Sequence, residues 1–400
     1  VTSLSLVLRH PTLRLIFMAL LALGALNASI YPYQSLVAID RIGLSKPMFS
    51  LVLVLASITA VTSSVLAGIV GDQRGNRRRI ALIAALASLG GLSLMLVMPG
   101  PIAVVLTHGV LLPVASSLYG QLFALAGLAT PAGENRDGVQ GALRSAMSVS
   151  FLVMLLFWTV GFGAGIDVMA VYLSAGLASL GLVCLIALYW PRHGAADFRD
   201  APSGLNLAQA FKEIAHPHVV LRLVLLGAIS ATGVLYMVLT ALIFDASALR
   251  DASDASLYIG LVAGWEVPCL LLLPRLAGRF RRSTMLAAGS AIYTLHLLAM
   301  PWLCDSPLIW VMPLVAGIGG TAIIALPIGY YQDLMAGRPG TAGAMLALQK
   351  LVSDVLAAAA FAVGTSLGGY EAVAVIGSAM ALCGGLGLAW ADRHHRLPPV

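Results

Sequence analysis

Residues 68–79 read Gly-Ile-Val-Gly-Asp-Gln-Arg-Gly-Asn-Arg-Arg-Arg, a polar, arginine-rich turn between two long apolar runs, 48–71 and 80–98. Crossing ~30 Å of hydrocarbon as a helix takes about 20 mostly apolar residues, and each run suffices. Such a turn is how a chain leaves a bilayer and re-enters it. Ten further runs of the same kind lie outward from it: 13–39, 102–128, 139–163 and 168–190 before the midpoint, then 219–244, 257–277, 284–302, 308–331, 341–367 and 371–390. Backbone polar groups in lipid must be satisfied within the segment, and these runs are too long for barrel strands, so all twelve are predicted to be helices.

The composition agrees. Of 400 residues, 60% are apolar and 10% charged, and the mean hydropathy is +0.94. A soluble chain carries about 25% charged residues. A soluble enzyme, a disordered protein and a nucleic-acid binder are therefore excluded, and the lipid bilayer is the expected solvent. Cys184, Cys269, Cys304 and Cys383 lie in or beside apolar runs without a CxxC pair, so no metal site, disulfide framework or cofactor is expected. The first apolar run is long and lacks an obvious cleavage site, so a cleavable signal peptide is not expected.

Orientation follows from the basic residues. Eighteen of the 23 Lys and Arg fall on the side that holds Arg74, Arg77, Arg78, Arg79, Arg192, Arg279, Arg281 and Arg282; the opposite side holds Arg41, Lys46 and Arg250. This bias places both termini in the cytoplasm of a cell whose inner (plasma) membrane the chain spans. The polar stretch 191–218 divides the chain into a first six-helix bundle, 1–190, and a second, 219–400; its 205–214 part is either a surface amphipathic helix or a plain linker.

The halves repeat. Gly138-Val-Gln-Gly-Ala-Leu143 opens the fifth run and Gly340-Thr-Ala-Gly-Ala-Met345 the eleventh; the same offset carries Arg77 onto Arg279 and Arg79 onto Arg281. Duplicated halves are characteristic of secondary transporters, with the substrate site between them near the midplane.

The loop at 68–79 resembles the signature after the second helix of the major facilitator superfamily: Asp72, Gly75 and Arg77 fit it, while Gln73 and Asn76 replace usual basic residues. A closer resemblance is to the sugar efflux transporter (SET) branch, through Gly109-Val-Leu-Leu112, Gln121-Leu-Phe-Ala-Leu-Ala126, Gly264-Trp-Glu-Val-Pro268 and Gln332-Asp-Leu-Met-Ala-Gly-Arg338. The resemblance implies an all-α polytopic membrane protein of twelve transmembrane helices in two pseudo-symmetric bundles. It implies no enzyme but a monomeric secondary transporter that exports small sugars or glycosides by alternating access. Proton antiport belongs to that expectation, although 151–165 carries glycines without the Gly-Pro pair of the superfamily's antiporter signature. The resemblance also gives Asp72 a gating role, with the start of the eleventh span as its partner. The loop after the eighth span, Gly278-Arg-Phe-Arg-Arg282, lacks the acid, so two unequal gates are expected.

Charges inside spans are costly and mark pathways. Glu266 lies near the middle of the eighth span with no basic residue at helical spacing on it. Desolvation favours its neutral form, so it is a candidate proton carrier or a neutral interhelical donor. Lys350 and Asp354 share a face of the eleventh span, either as a structural ion pair or as a pair exchanged during transport. Arg144, on the fifth span, either contacts the cavity, and is grouped with the gating residues, or reaches back to Glu134 or Asp137.

Asn27, Tyr31 and Gln34 are spaced to share a face of the first span, as are Ser117 and Gln121 on the fourth. Tyr258, Trp265 and Glu266 cluster on the eighth, and Gln349 precedes Lys350. Amides and hydroxyls with aromatic plates match a sugar's hydroxyls and CH faces. His108 and His296 read as structural. The other functions open to this chain are a drug or metabolite exporter with a greasier cavity and a membrane receptor or lipid-handling protein; no GxxxxGK[ST] loop supports an ATP-driven pump.

A fluorescent-protein fusion at Asp200 should fluoresce in the cytoplasm, and an alkaline phosphatase fusion at Asp305 should be active. The reverse pattern would invert the assigned topology.

Overall fold

The structure, a computed structural model, describes residues 3–34, 37–131, 133–191, 207–250, 252–277 and 279–393, and among them no strand occurs. Among the described residues, ten helices are long and apolar enough to cross a membrane. One of them, the 53-residue Pro339–Ala391, is two spans, because Gly368 and Gly369 (φ 71°, ψ −153°) break the helix between them. Only glycine takes that Gly369 geometry at little cost. With the shorter apolar helix Leu257–Leu272, the expected twelve are present.

The spans differ in detail from the apolar runs. The first helix is Pro11–Ile30, not 13–39: Tyr31–Tyr33 form a turn, and the chain resumes as a π-turn over Val37–Arg41. Pro32 offers no N–H to continue the helix, and its ring crowds the preceding turn. The second, Lys46–Arg74, is capped by Gly75 in the left-handed region (φ 60°), whose N–H donates to Gly71 O. The third, Arg77–Val97, therefore begins after only two connecting residues. Within the fourth span, Pro101–Ala129, a π-turn at Thr107–Leu111 precedes Pro113, where a regular ladder would lose a donor. The fifth and sixth spans are Arg136–Gly163 and Ala170–Tyr189.

The seventh span is Pro217–Ala246. The eighth, Ala252–Leu272, contains Pro268 and is followed by a short turn of helix at Pro274–Ala277. The ninth and tenth are Arg282–Leu303 and, after a 3-10 turn at Pro307–Val311, Met312–Leu334. Ahead of the seventh, Leu207–Ile214 is helical. The remainder of the predicted segment, 205–206, lies outside the described residues. Exposed apolar stripes such as Leu51, Val54 and Ile58 on the second span, or Leu173, Leu177 and Leu180 on the sixth, are what a lipid-facing surface requires.

Two compact units emerge. Unit 1 comprises Val1–Glu134, Ala142–Ala210 and Met335–Ala347; unit 2 comprises Asn135–Gly141, Phe211–Leu334 and Leu348–Val400. In unit 1 the sixth span packs on the first and third, and the fourth on the first, second and third. In unit 2 the tenth packs on the eighth and ninth. Small residues permit this closeness, as is usual where lipid supplies no hydrophobic drive. A Cβ on Gly319 would stand 2.6 Å from Tyr293 N and 2.7 Å from Gly289 O, both backbone atoms of the ninth span.

Gly319→Ala should therefore lower the melting temperature of the purified protein, by a destabilisation of about 1–3 kcal/mol. Gly90→Ala, whose added Cβ meets nothing within 4 Å, serves as the neutral control. Equal melting of the two variants would contradict the backbone contact.

Candidate functional site

A heavily bonded ionic residue is Asp72, in the last turn of the second span. A carboxylate at a helix C-terminus opposes that helix's own dipole and needs outside compensation. It receives four hydrogen bonds, all within unit 1. Arg77 Nη2 donates at 2.5 Å to Oδ1, Gly340 N at 2.8 Å to Oδ1, Thr341 N at 2.6 Å to Oδ2, and Thr341 Oγ at 2.7 Å to Oδ2. Gly340 and Thr341 open the eleventh span, whose first amides lack intrahelical partners and carry the positive end of its dipole. The start of the eleventh span, implied above as the partner of Asp72, is where these bonds go. Arg338 is buried beside them; burial lowers its pKa from the ordinary value, and the Asp72 charge works the other way.

Glycines make room for this arrangement. A Cβ on Gly340 would meet Gly68 O at 2.5 Å and Asp72 Oδ1 at 2.8 Å, and one on Gly343 would meet Gly120 O at 2.7 Å. Gly75 contributes by ending the second span, so that Arg77 turns back onto Asp72.

A second cluster lies in unit 2 with the charges exchanged. Its centre is Arg282, the first residue of the ninth span, as Arg77 is the first of the third. By helix start, then, Arg77 pairs with Arg282 and not with Arg279, which the sequence offset selected. The Nε of Arg282 donates to both oxygens of Asp137, at 2.8 and 2.9 Å, and its Nη1 donates to Asp333. Arg136 Nη1 stands 3.9 Å from Asp333, and Gln140 Nε2 donates to Gln332 Oε1 at 2.6 Å. The loop after the eighth span does lack an acid, but Asp137 of the fifth span and Asp333 of the tenth supply it. Sequence reading missed this cluster: Arg282 counted toward topology and as part of a loop without an acid, and Asp137 only as a possible partner of Arg144. The one available signal was an arginine opening a span after a short loop in both halves.

The other predicted residues divide into two groups. Asn27 and Gln34 are half-buried, but the turn at Tyr31–Tyr33 removes them from one continuous helical face, and Tyr31 is 49% exposed. Trp265 is 43% exposed. Gln121, by contrast, is 1% exposed; its Oε1 lies against Gly71, next to the Asp72 cluster. Gln349 is buried and donates to Ser230 Oγ at 2.5 Å, bracing the eleventh span on the seventh. Lys350 and Asp354 form their pair at 2.6 Å, with the Lys350 side chain 73% exposed.

Glu266 is half-buried and faces the tenth span: a Cβ on Gly320 would lie 3.3 Å from its Oε1 and 3.2 Å from the Tyr293 ring. Tyr258 is fully buried, stacked on His296 within a cluster that includes Tyr236 and Tyr293. His108 is buried and hydrogen-bonded to Tyr172 at 2.8 Å. Arg144 stands over the ring of Tyr119 at 5.9 Å and pairs with neither Glu134 nor Asp137.

The sequence profile of the Major Facilitator Superfamily matches residues 15–362. The chain belongs to that superfamily. It is 24% identical, over 95% of its own length and 98% of the relative's, to a Deinococcus radiodurans protein named "Putative sugar efflux transporter". Among solved structures it is similar to the human organic anion transporter MFSD10 (TM-score 0.72, 14% identity, 94% of this chain and 99% of that one). It is also similar to the proton:xylose symporter XylE bound to 6-bromo-6-deoxy-D-glucose (TM-score 0.70, 14% identity, 98% and 96%). At that identity the likeness shows the fold. This superfamily member is a multi-pass membrane transporter and not an enzyme.

Asp72→Asn should destabilise the transporter by about 3–5 kcal/mol, because the buried Arg77 charge loses its counter-ion. Adding Arg77→Gln should cost less than the sum of the two single changes. Additive losses in a double-mutant cycle of melting temperatures would show that the pair is not coupled.

Proposed function

We propose that this transporter exports small sugars or glycosides by proton-coupled antiport, through alternating access. The observation that carries the reading is the 24% identity, over nearly the whole of both chains, to a protein named for sugar efflux. The available polar side chains support it. Asn27, Tyr31 and Gln34 offer amide and hydroxyl groups, and Trp265 an aromatic face, of the kinds a hydroxylated ring takes. Gln121, beside Gly71, and Gln349, bonded to Ser230, are the further polar candidates for the substrate.

Glu266 is the proton carrier in this scheme. It sits inside a span beside the Tyr293 ring, where a protonation change alters its interactions most. The exposed Lys350–Asp354 pair is the second charged element of the cycle. Asp72, Gly75 and Arg77 form a latch that holds the start of the eleventh span in one state and releases it in the other. The chain functions as a monomer of two bundles, 1–190 and 219–400, joined by 191–218, in the inner membrane with both termini cytoplasmic. Arginine placement along the chain supports that orientation.

In proteoliposomes, labelled sugar should move against its gradient when a pH gradient is imposed. Glu266→Gln should abolish that uphill movement while retaining sugar exchange at zero gradient. Uphill transport at the wild-type rate by Glu266→Gln would remove Glu266 from coupling, and lipophilic cations moving in place of sugars would end the sugar reading.

A further inference from the structure

Arg144 lies eight residues after Arg136 on the fifth span, about 12 Å along the helix axis at 1.5 Å per residue. Three buried arginines at span ends have carboxylates: Arg77 has Asp72, Arg222 has Asp392, and Arg282 has Asp137 and Asp333. Arg144 forms no ion pair, and its Nε is closed off from solvent without a hydrogen-bond partner. Side chains on a helix lean toward its N-terminus, yet the acids at that end are unavailable: Asp137 is held by Arg282, and Glu134 makes no ion pair with Arg144. What Arg144 does have is the Tyr119 ring, 5.9 Å from its guanidinium carbon, with Phe123 packed 4.8 Å from that ring.

Cation–π contact offsets part of the cost of a guanidinium in a span but leaves its donor fork unused. The fork is planar and matches a carboxylate bidentately, with charge compensation that a hydroxyl cannot give. A doubly charged phosphate would call for a second cation, and among the described residues Arg144 is the cation placed over the Tyr119 ring. A single negative charge on a ring that stacks on an aromatic is the chemistry that fits.

We infer that Arg144, with Tyr119, is the anchor for a carboxylate on the substrate, so that the species exported are sugar acids of the uronic or aldonic class. This rests on the sugar reading above and narrows it.

The test is titration of the purified transporter in nanodiscs with D-glucuronate, D-glucose and benzoate, for wild type, Arg144→Gln and Arg144→Lys, with the unliganded melting temperature as the folding check. D-Glucuronate should bind at least about tenfold tighter than D-glucose, since hydrogen bonds to charged groups contribute that much or more. Arg144→Gln should remove this advantage and leave D-glucose affinity unchanged, while Arg144→Lys should retain part of it. Equal wild-type affinities for the two sugars, or an Arg144→Gln loss shared equally by both, would overturn the anchor and leave the sugar reading standing. Arg144-dependent binding of benzoate without either sugar would uphold an anion anchor and overturn the sugar reading. No binding of any probe would overturn both.

Discussion

A carboxylate can leave water only where fixed donors replace the hydration it gives up. Asp72 meets that condition with four hydrogen bonds, two of them from the backbone amides that open another helix. The second span's C-terminal dipole, which alone would repel the charge, is thereby set against the eleventh span's N-terminal dipole, which attracts it. Three glycines are needed for this: Gly75 to reverse the chain, and Gly68 and Gly340 to let the helices come close enough. A side chain at any of them would separate donor from acceptor by more than a hydrogen bond tolerates.

The Arg282 cluster solves the same problem with the opposite sign at its centre. A cation at a helix N-terminus is unfavourable by the same dipole argument, and the Asp137 and Asp333 carboxylates compensate it. Each cluster joins residues from both halves of the sequence. A conformational change that parted either set would strand a buried charge unless water or another partner replaced it.

Much of the fold was legible from residues. The apolar runs gave the twelve helices, and the Gly368–Gly369 break falls where the eleventh and twelfth were separated. Pro32 shortened the first span, because a long hydropathic run records burial in lipid and not hydrogen-bond continuity. The same limit misplaced Gln34: helical spacing put it below Asn27 and Tyr31 on an ideal helix, but Tyr31 caps that helix and a turn follows.

The sequence by itself determined that the chain lives in lipid, how often it crosses, which ends are arginine-rich and that an acid follows the second span. These are additive, local properties, and residue counts carry them. Tertiary structure alone decided that Asp137 and Asp333 close on Arg282, that Gln121 and Tyr258 are buried, and that Arg144 meets a ring and no acid. Those outcomes rest on which helix faces meet, and contacts between residues far apart in the chain leave no periodic trace in one sequence.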